Sequence, residues 1–579
     1  MERNLLASLF TFLVACSPAQ RVAVEMQPQV STEVWNKGAI ASAANPHAVN
    51  AAIEILQKGG HAVDAAIAAH AVLGLVEPQS SGIGGGGFML VYESENGGLV
   101  FHDGREIAPS GATVGMFMVD GEVMGFVDAW QSGKAIGVPG AIAMYKAAHD
   151  EHGHLPWPDV LEPAIRLASE GFKVSPRLAN YLPMMATQSR LDEAPGSAEY
   201  FYPGGNPLQA GDLLKNPEYA NTLKRVANEG IEAFYTGEIA EAIAEAAQAE
   251  PNPGPLTAED IAAYEPARRP VICGPFRSMS ICTSSPPSSG GAQIMIAALY
   301  DHLLTGSDSQ ADKVAAFVDA QRLAYADRDE YFGDPDEIDI PLDDLLNPDY
   351  LRHRATERFD PGAAPTPGDP GQVLRGNSSA GLFGPDTTEE VAGTTHLSII
   401  DDDGNAVSMT ATVEAPFGTQ RWAAGFLLNN EMTDFARLVS VDGVRPANAV
   451  APGRRPRSSM SPSMIFDSEG GLLMVTGSPG GNSIPAYVAK TIVGVFDWGM
   501  SAQESVDHPN IIARGEAVRV EINVEPGQAI ADDLKARGYS VQERDEENSG
   551  LHIIVVNEDS LDGAADKRRE GIVRTIPPN

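Results

Sequence analysis

Gly393-Thr394-Thr395-His396-Leu397-Ser398-Ile399-Ile400, then Asp401-Asp402-Asp403-Gly404-Asn405, then Ala406-Val407-Ser408-Met409-Thr410-Ala411-Thr412 is the stretch on which the reading of this chain turns. Two runs of β-favouring residues flank an acidic turn containing glycine, the pattern of a hairpin. With the loop centred on Asp403, Ile400 faces Ala406. Counting outward sets Thr394 opposite Thr412, two hydroxyls within hydrogen-bonding reach. Ahead of the hairpin, residues 360–386 are rich in Pro, Gly and Ser, the longest linker-like stretch of the interior and too polar and broken to build a core. A flexible segment ending in Gly-Thr at the mouth of a sheet is a place where a chain can be cut to release a threonine with a free α-amine. Such a residue holds nucleophile and base together, because its hydroxyl attacks while its amine takes the proton, and no His or Asp partner is required.

Acyl transfer also needs donors for an oxyanion. Val475-Thr476-Gly477-Ser478-Pro479-Gly480-Gly481 ends a strand pattern on adjacent glycines whose N–H groups can face a ligand, although a plain strand-to-helix turn reads the same way. Other short strand patterns follow Thr394, at Leu472-Leu473-Met474-Val475 and His552-Ile553-Ile554-Val555-Val556. Upstream, Asn45 and Pro46 start a helix that Gly59-Gly60 ends, an Ala-rich helix covers 63–75, the chain from 140 to 260 is mostly helical, and a further helix covers 293–304. Helices mixed with strands of this kind predict an α/β protein built on a mixed sheet system. There is no internal repeat of 20 to 50 residues.

Other motifs carry less. Gly82-Ile83-Gly84-Gly85-Gly86-Gly87 precedes the β-like run Phe88-Met89-Leu90-Val91-Tyr92, the reverse of the strand, glycine loop and helix order that phosphate binding needs, and no Lys follows. His149-Asp150-Glu151-His152-Gly153-His154 has metal-competent side chains but no second cluster in sequence to complete a tetrahedral site, so it reads as a solvated loop and no metal is expected. Asp334-Pro335-Asp336-Glu337 and Asp343-Asp344 read as an acidic surface, since calcium-loop spacing is missing. No Gly-x-Ser-x-Gly elbow stands before a helix, which disfavours serine hydrolases of that design.

The 579 residues carry 78 Asp+Glu against 40 Lys+Arg, a formal charge of −38, which disfavours nucleic acid as a partner. At 43% hydrophobic and 20% charged the chain is globular. The length permits two to four domains or one large α/β unit. Arg3 precedes the apolar run from Leu5 to Ala15, too short to span a membrane as a mature helix, and Leu13-Val14-Ala15-Cys16 resembles a bacterial lipobox. Residues 1–16 are therefore expected to be an export signal with Cys16 as the acylated first residue of a periplasmic, membrane-anchored protein. An ordinary signal cleaved nearby, or a buried helix, is the alternative, and Glu2 departs from the usual positive flank. Residues 17–33 read as a polar, mobile linker. The remaining cysteines lie in a second hairpin pattern: with Arg277-Ser278 as the loop, Phe276 faces Met279 and Cys273 faces Cys282, placed either for a disulfide or as two buried thiols.

Taken together, Gly393-Thr394-Thr395-His396, Leu427-Leu428-Asn429-Asn430 with Asp434, Arg457-Ser458-Ser459-Met460-Ser461-Pro462 and Thr476-Gly477-Ser478-Pro479-Gly480-Gly481 resemble the small-subunit signature of the γ-glutamyltransferases, or glutathione hydrolases, of the N-terminal nucleophile hydrolase superfamily. Asp64-Ala65-Ala66, Gly84-Gly85-Gly86-Gly87-Phe88-Met89, Asp103-Gly104-Arg105-Glu106, Gly137-Val138-Pro139-Gly140, Tyr325-Ala326-Asp327-Arg328 and Gly333-Asp334-Pro335 resemble its large subunit in order, and Gly563-Ala564-Ala565-Asp566 with Arg568-Arg569 its late small-subunit motif. The resemblance spans about residues 35 to 575.

It implies a four-layer αββα fold with stacked mixed or antiparallel sheets, self-cleavage between Gly393 and Thr394, a large subunit over 34–393 and a small catalytic subunit over 394–579. Thr394 would be the nucleophile, Thr412 its hydrogen-bonding partner, and Gly480 and Gly481 the oxyanion donors. Arg105, helped by Ser458 and Ser459, would take the α-carboxylate of a γ-glutamyl donor, and Glu431 and Asp434 its α-ammonium. No metal or organic cofactor is implied. The partners would be glutathione and other γ-glutamyl compounds, with water, amino acids or dipeptides as acceptors. Two rivals remain: a cephalosporin (glutaryl) acylase, which would leave Glu431 and Asp434 without an ammonium to hold, and a non-catalytic periplasmic binding protein, which has no need of a scissile Gly393–Thr394 bond. Two departures bear on specificity. Glu414 stands where many members carry an Asn near the ammonium, and the segment 435–457, where many carry a lid closed by an aromatic residue, is shorter and has no Tyr or Trp. Hydrolysis is thus expected to outweigh transfer, and glutaryl amides to be poor substrates.

Overall fold

The computed structural model describes residues 35–578 apart from 305, 307, 308, 358, 387 and 392. The expected signal, the acylation residue Cys16 and the linker over 17–33 lie outside the described residues.

Two large sheets organise the chain. Their strands are β1 (Ala39–Ala43), β2 (Gly86–Glu93), β3 (Gly98–Asp103), β4 (Ala267–Arg269), β5 (Val271–Phe276), β6 (Met279–Ser284), β7 (Gly393–Ile400), β8 (Ala406–Glu414), β9 (Ser463–Phe466), β10 (Leu472–Thr476), β11 (His552–Val556), β12 (Leu561–Ala565) and β13 (Ile572–Ile576). The first sheet has the order β13-β1-β7-β8-β2-β3-β4 and the second β12-β11-β10-β9-β6-β5. All pairings within both are antiparallel. A parallel pair occurs in a separate three-stranded sheet, between Ala517–Glu521 and Ser540–Arg544.

Alternating side chains make the first sheet two-faced. Met89, Val91, Leu397, Ile399, Val407 and Met409 pack with helices α1 (Pro46–Gln57), α2 (Ala62–Val76) and α3 (Ala141–His152). Phe88, Leu90, Ile400 and Ala406 point the other way, into a core shared with the second sheet and with helices α4 (Gly290–Leu303), α5 (Gln310–Tyr331) and α6 (Ile484–Phe496). The layers run helix, sheet, sheet, helix. Strands covered on both faces are what such a stack requires, and β7 and β8 are buried at every position, including the polar His396, Ser398, Ser408 and Thr410, whose side chains are hydrogen-bonded there.

Both hairpin registers are those that the sequence predicts. Ile400 faces Ala406 and Thr394 faces Thr412, with an irregularity between Gly393 and Thr394. Phe276 faces Met279, and Cys273 faces Cys282, to which it is joined by a disulfide across a Cα separation of 4.1 Å.

Three sequence readings need correction. The stretch 360–386 builds no core, yet it is a packed strap rather than a free linker: Pro370–Arg375 is a helix capped by Asp369, Gly368 donates its N–H to buried Asp327 and accepts the Tyr331 hydroxyl, and Gly371 and Ser379 are buried. Asp334 is not on an acidic surface, because its carboxylate is buried where it accepts the Arg455 N–H at 2.7 Å. Nor is 149–154 a solvated loop throughout, since His152 ends α3 buried against His61 and His102.

Candidate active site

The β7–β8 hairpin fixes the centre of the site. Thr394 and Thr412 are buried with hydroxyl oxygens 3.2 Å apart. Thr412 Oγ1 also donates to the Gly393 carbonyl at 2.9 Å and accepts the Glu414 N–H at 2.8 Å. A hydroxyl has one proton to give, so in the Thr394–Thr412 contact Thr394 is the donor. Thr412 thereby polarises the carbonyl that precedes Thr394 and orients the Thr394 oxygen beside it.

The glycine run before β2 exists for close backbone approach and not for phosphate. A Cβ on Gly85 would lie 2.0 Å from the Thr412 carbonyl, and one on Gly86 2.3 Å from that of Gly104. This lets β2 seat beside β8 and brings the end of β3, with Arg105, to the same edge.

Arg105 is fully buried and all three of its nitrogens are engaged. Nε donates to the Pro456 carbonyl at 3.1 Å, Nη1 to Glu431, and Nη2 to Asp434 at 2.7 Å and the Arg457 carbonyl at 2.9 Å. Its own N–H is held by Asp103, which also pairs with Arg269. Glu431 and Asp434 come from a 3₁₀ turn, Glu431–Asp434. Asn429 pins that turn by bonding both Gly84 and Gly137, and Asn430 pins it by donating to Glu414 and accepting from Ala415.

The site crowds carboxyl groups. Burial raises the pKa of Glu431 well above the ordinary range, with Arg105 opposing and Glu106 and Glu414 adding to it. Burial likewise raises Asp434, with Glu390 and Glu431 adding and Arg105 opposing. Glu414 is raised well up by burial and by Asp434, and Glu106 is pushed up to about 7, mainly by burial. For Arg105 burial favours the neutral form, but Glu431, Asp434 and Glu106 outweigh it and hold the guanidinium charged.

Ser458 and Gly481 complete the wall of a small cavity that Thr394, Thr412, Arg105, Glu414, Glu431 and Asp434 also line. Ser459 stands behind it, with its N–H on Glu390 at 2.8 Å and its hydroxyl accepting from Arg328 at 2.6 Å. Gly480 and Gly481 adopt φ of 141° and 54° and lead through a 3₁₀ turn into α6, so their N–H groups sit at the positive end of a helix. The cavity measures about 10 Å³, room for one water. Glu390 and Val391, upstream of Thr394, line it as well: Glu390 pairs with Arg328, and Val391 donates its N–H to Glu414 at 3.0 Å.

His396 is no base in waiting. It is buried between Thr410 and Ser398, and burial holds its pKa well below the usual value. Three residues that sequence reasoning gave no role are engaged here. Arg569 donates to the Thr394 carbonyl at 2.8 Å, Arg328 gathers Glu390 and Ser459, and Glu390 itself occupies the site. Arg328 and Arg569 stand in motifs that carry the family resemblance, which was the available signal; Glu390 had none.

Comparison with known proteins agrees in direction. The family model described as Gamma-glutamyltranspeptidase matches residues 48–576. The chain is 36% identical over 567 residues to a glutathione hydrolase proenzyme of Escherichia coli (strain K12), covering 96% of this chain and 94% of the relative. It is 34% identical over 487 residues to a glutathione hydrolase proenzyme of Bacillus subtilis (strain 168), covering 83% of this chain and 81% of that one. Among solved structures, a cephalosporin acylase from Bacillus halodurans superposes with a TM-score of 0.80 at 25% identity, covering 99% of this chain and all of that chain.

Proposed function

The chain belongs to the γ-glutamyltranspeptidase family, and from that premise we propose that Thr394 is the residue through which it cuts itself and then transfers γ-glutamyl groups from glutathione and related amides to water or to amino-acid and dipeptide amines. The observation that carries the reading is the shared cavity: a threonine hydroxyl held by a second threonine, in one wall with a buried arginine bridging two carboxylates.

In self-cleavage the Thr394 oxygen attacks the Gly393 carbonyl carbon, the C–N bond to Thr394 breaks, the hydroxyl proton ends on the departing nitrogen, and the acyl group passes from nitrogen to oxygen. Water then hydrolyses the ester, leaving a Gly393 carboxylate and a free Thr394 amine. That amine is the base for the second reaction. It takes the hydroxyl proton as Thr394 attacks the γ-amide of the donor, gives it to the departing amine, and repeats the transfer when water or an acceptor amine attacks the acyl-threonine. In acylation and deacylation the N–H groups of Gly480 and Gly481 would meet the oxyanion, whereas in self-cleavage the Gly393 oxygen is held by the Thr412 hydroxyl.

The charge arrangement favours a γ-glutamyl donor over a glutaryl one. Arg105 is paired with Glu431 and Asp434 before any donor arrives. A zwitterionic α-carbon exchanges partners within that set: its carboxylate takes the arginine fork and its ammonium takes the acids, so no charge is left alone. A glutaryl group would take the arginine and leave Glu431 and Asp434 with no cation to hold, buried acids that its binding does nothing to pair. Export to the periplasm is the matching cellular reading, supported by the Cys273–Cys282 disulfide, which belongs in an oxidising compartment, and an anchor at Cys16 rests on the lipobox-like Leu13-Val14-Ala15-Cys16 alone. The division into a large chain over 34–393 and a small chain over 394–579 follows from the same cut.

A denaturing gel of the purified protein, followed by assay with γ-glutamyl and glutaryl versions of one anilide, tests the proposal. Two fragments and preference for the γ-glutamyl anilide are expected. Two fragments with equal or better glutaryl turnover would make the protein an acylase, and an uncut inactive chain would make it a binding protein.

A further inference from the structure

Away from the cavity, β3 and the end of α3 converge on one point. His102 Nε2 and His152 Nε2 lie 3.3 Å apart, and Glu151 Oε2 lies 3.8 Å from the first and 3.9 Å from the second. A tetrahedral zinc ion with bonds of about 2.0–2.1 Å to nitrogen sets its nitrogen ligands roughly 3.3–3.4 Å apart. The three atoms thus form a face of such a tetrahedron, already closed on the histidine edge and within a small carboxylate movement on the other two. Both histidines are buried, while Glu151 is 34% exposed through its side chain.

The outer contacts suit a metal as well. His152 Nδ1 faces Glu93 Oε1 in a short contact, so the ring gives its Nδ1 proton to that carboxylate and directs the Nε2 lone pair at the common point, the arrangement that orients imidazole ligands. Glu93 also lies 3.5 Å from His61 Nε2, whose ring stacks on His152. The second oxygen of Glu151 is held by Arg268 on β4 at 2.9 Å, which fixes the carboxylate without using the oxygen turned inward. Two neutral imidazoles whose Nε2 atoms converge can share one proton between them. A cation satisfies both lone pairs and the carboxylate at once.

We propose that His102, Glu151 and His152 form a three-ligand site for a divalent transition ion of tetrahedral preference, zinc above all, with water as its fourth ligand. Two nitrogens and one carboxylate oxygen suit zinc, and a site of oxygens alone would be needed for magnesium or calcium. The ion would tie α3 to β3 three residues before Arg105. Its role would be to clamp that strand, not to take part in the acyl transfer.

The test uses tag-free, processed enzyme stripped with EDTA, titrated with zinc against a chelator of micromolar affinity, with cobalt as a spectroscopic stand-in. The wild type should bind one zinc per large and small chain pair, melt at a higher temperature with zinc, and show the strong ligand-field bands of tetrahedral cobalt. His102→Gln should abolish all three effects, and Glu93→Gln should weaken zinc about 10- to 100-fold through the ring it orients. Glu151→Gln is the safeguard should His102→Gln fail to fold, since its side chain is partly exposed, and it too should lose the cobalt bands. No uptake by the wild type, or the same uptake by Glu151→Gln and His102→Gln as by the wild type, would overturn the site.

Discussion

Replacing Thr412 by Val removes one hydroxyl and keeps the shape. In the uncut chain that hydroxyl gives its only proton to the Gly393 carbonyl at 2.9 Å, the oxygen on which negative charge develops when Thr394 attacks. It also accepts from Thr394 at 3.2 Å and from the Glu414 N–H at 2.8 Å. Removing one donor from a developing oxyanion costs about 10²–10³ in rate, or ~2.7–4 kcal/mol. The lost bond to the Glu414 N–H adds about 1 kcal/mol to ground-state destabilisation but leaves the fold intact. Thr412→Val should therefore accumulate as a soluble single chain that matures on the order of 10² times more slowly, and Thr412→Ser should mature at nearly the wild-type rate. Following precursor and fragments on a denaturing gel over time measures both. Maturation of Thr412→Val with the wild-type half-time would mean that the carbonyl is polarised by another group and that the hydroxyl pair is only structural.

Thr394→Ala should yield an uncut chain without turnover, and normal two-chain processing in it would place the cut elsewhere. That uncut chain should also give no heat on titration with glutathione, because Glu390 and Val391 line the cavity; binding as tight as to the mature enzyme would show that the preceding segment does not block it. Arg105→Lys keeps the charge and loses the fork, so processing should be normal while kcat/KM for γ-glutamyl anilide falls about 10²-fold, and an unchanged value would remove Arg105 from donor binding. In the folded chain Glu414 holds its proton to higher pH than an unfolded glutamate does, burial being the main cause. Its contribution is accordingly present at pH below the ordinary carboxylate value and is lost as pH rises toward the raised one. Melting of the uncut Thr394→Ala chain should decline over that window and decline less with Glu414→Gln added; identical slopes would mean that Glu414 is ionised throughout.

How much of this was legible depended on the range of each contact. The registers of β7–β8 and β5–β6 follow from period-two counting about a short turn, so Thr394–Thr412 and Cys273–Cys282 could be paired from residues alone. The positions of Arg105, Glu431, Asp434 and Ser458 at one cavity were legible only through resemblance, because a motif says which residues recur together and not why they meet. Contacts bridging distant segments were not legible at all. Arg569 reaches Thr394 across 175 positions, Glu390 meets Arg328 across 62, and His102 meets His152 across 50. The His149–His154 run looked incomplete because its partner histidine lies on β3, and Asp334 looked exposed because Arg455, whose N–H it accepts, comes from the far side of the hairpin.

Glu390 gives these pieces a common logic. In the uncut chain its carboxylate is held by Arg328 and the Ser459 N–H, the next N–H is held by Glu414, and the Gly393 carbonyl is held by Thr412. A Cβ on Gly481 would lie 2.2 Å from the Glu390 carbonyl, so only glycine lets this segment lie against the candidate oxyanion loop. The segment before the proposed cut therefore lies against the same walls that the family resemblance assigns to the donor, and the Gly393 carbonyl is held by the hydroxyl that also contacts Thr394. The proposed cleavage would remove the restraint. Withdrawal of the tail would uncover the Ser459 N–H, the Thr412 hydroxyl and one face of Gly481 together, and it would take one carboxylate away from a crowd in which burial already raises Glu414, Glu431 and Asp434. Fewer like charges around Arg105 let the remaining acids ionise more readily, and ionised acids are what an α-ammonium needs. On the proposed cut, a single bond broken would create the base, open the cavity and ready its charges for the donor.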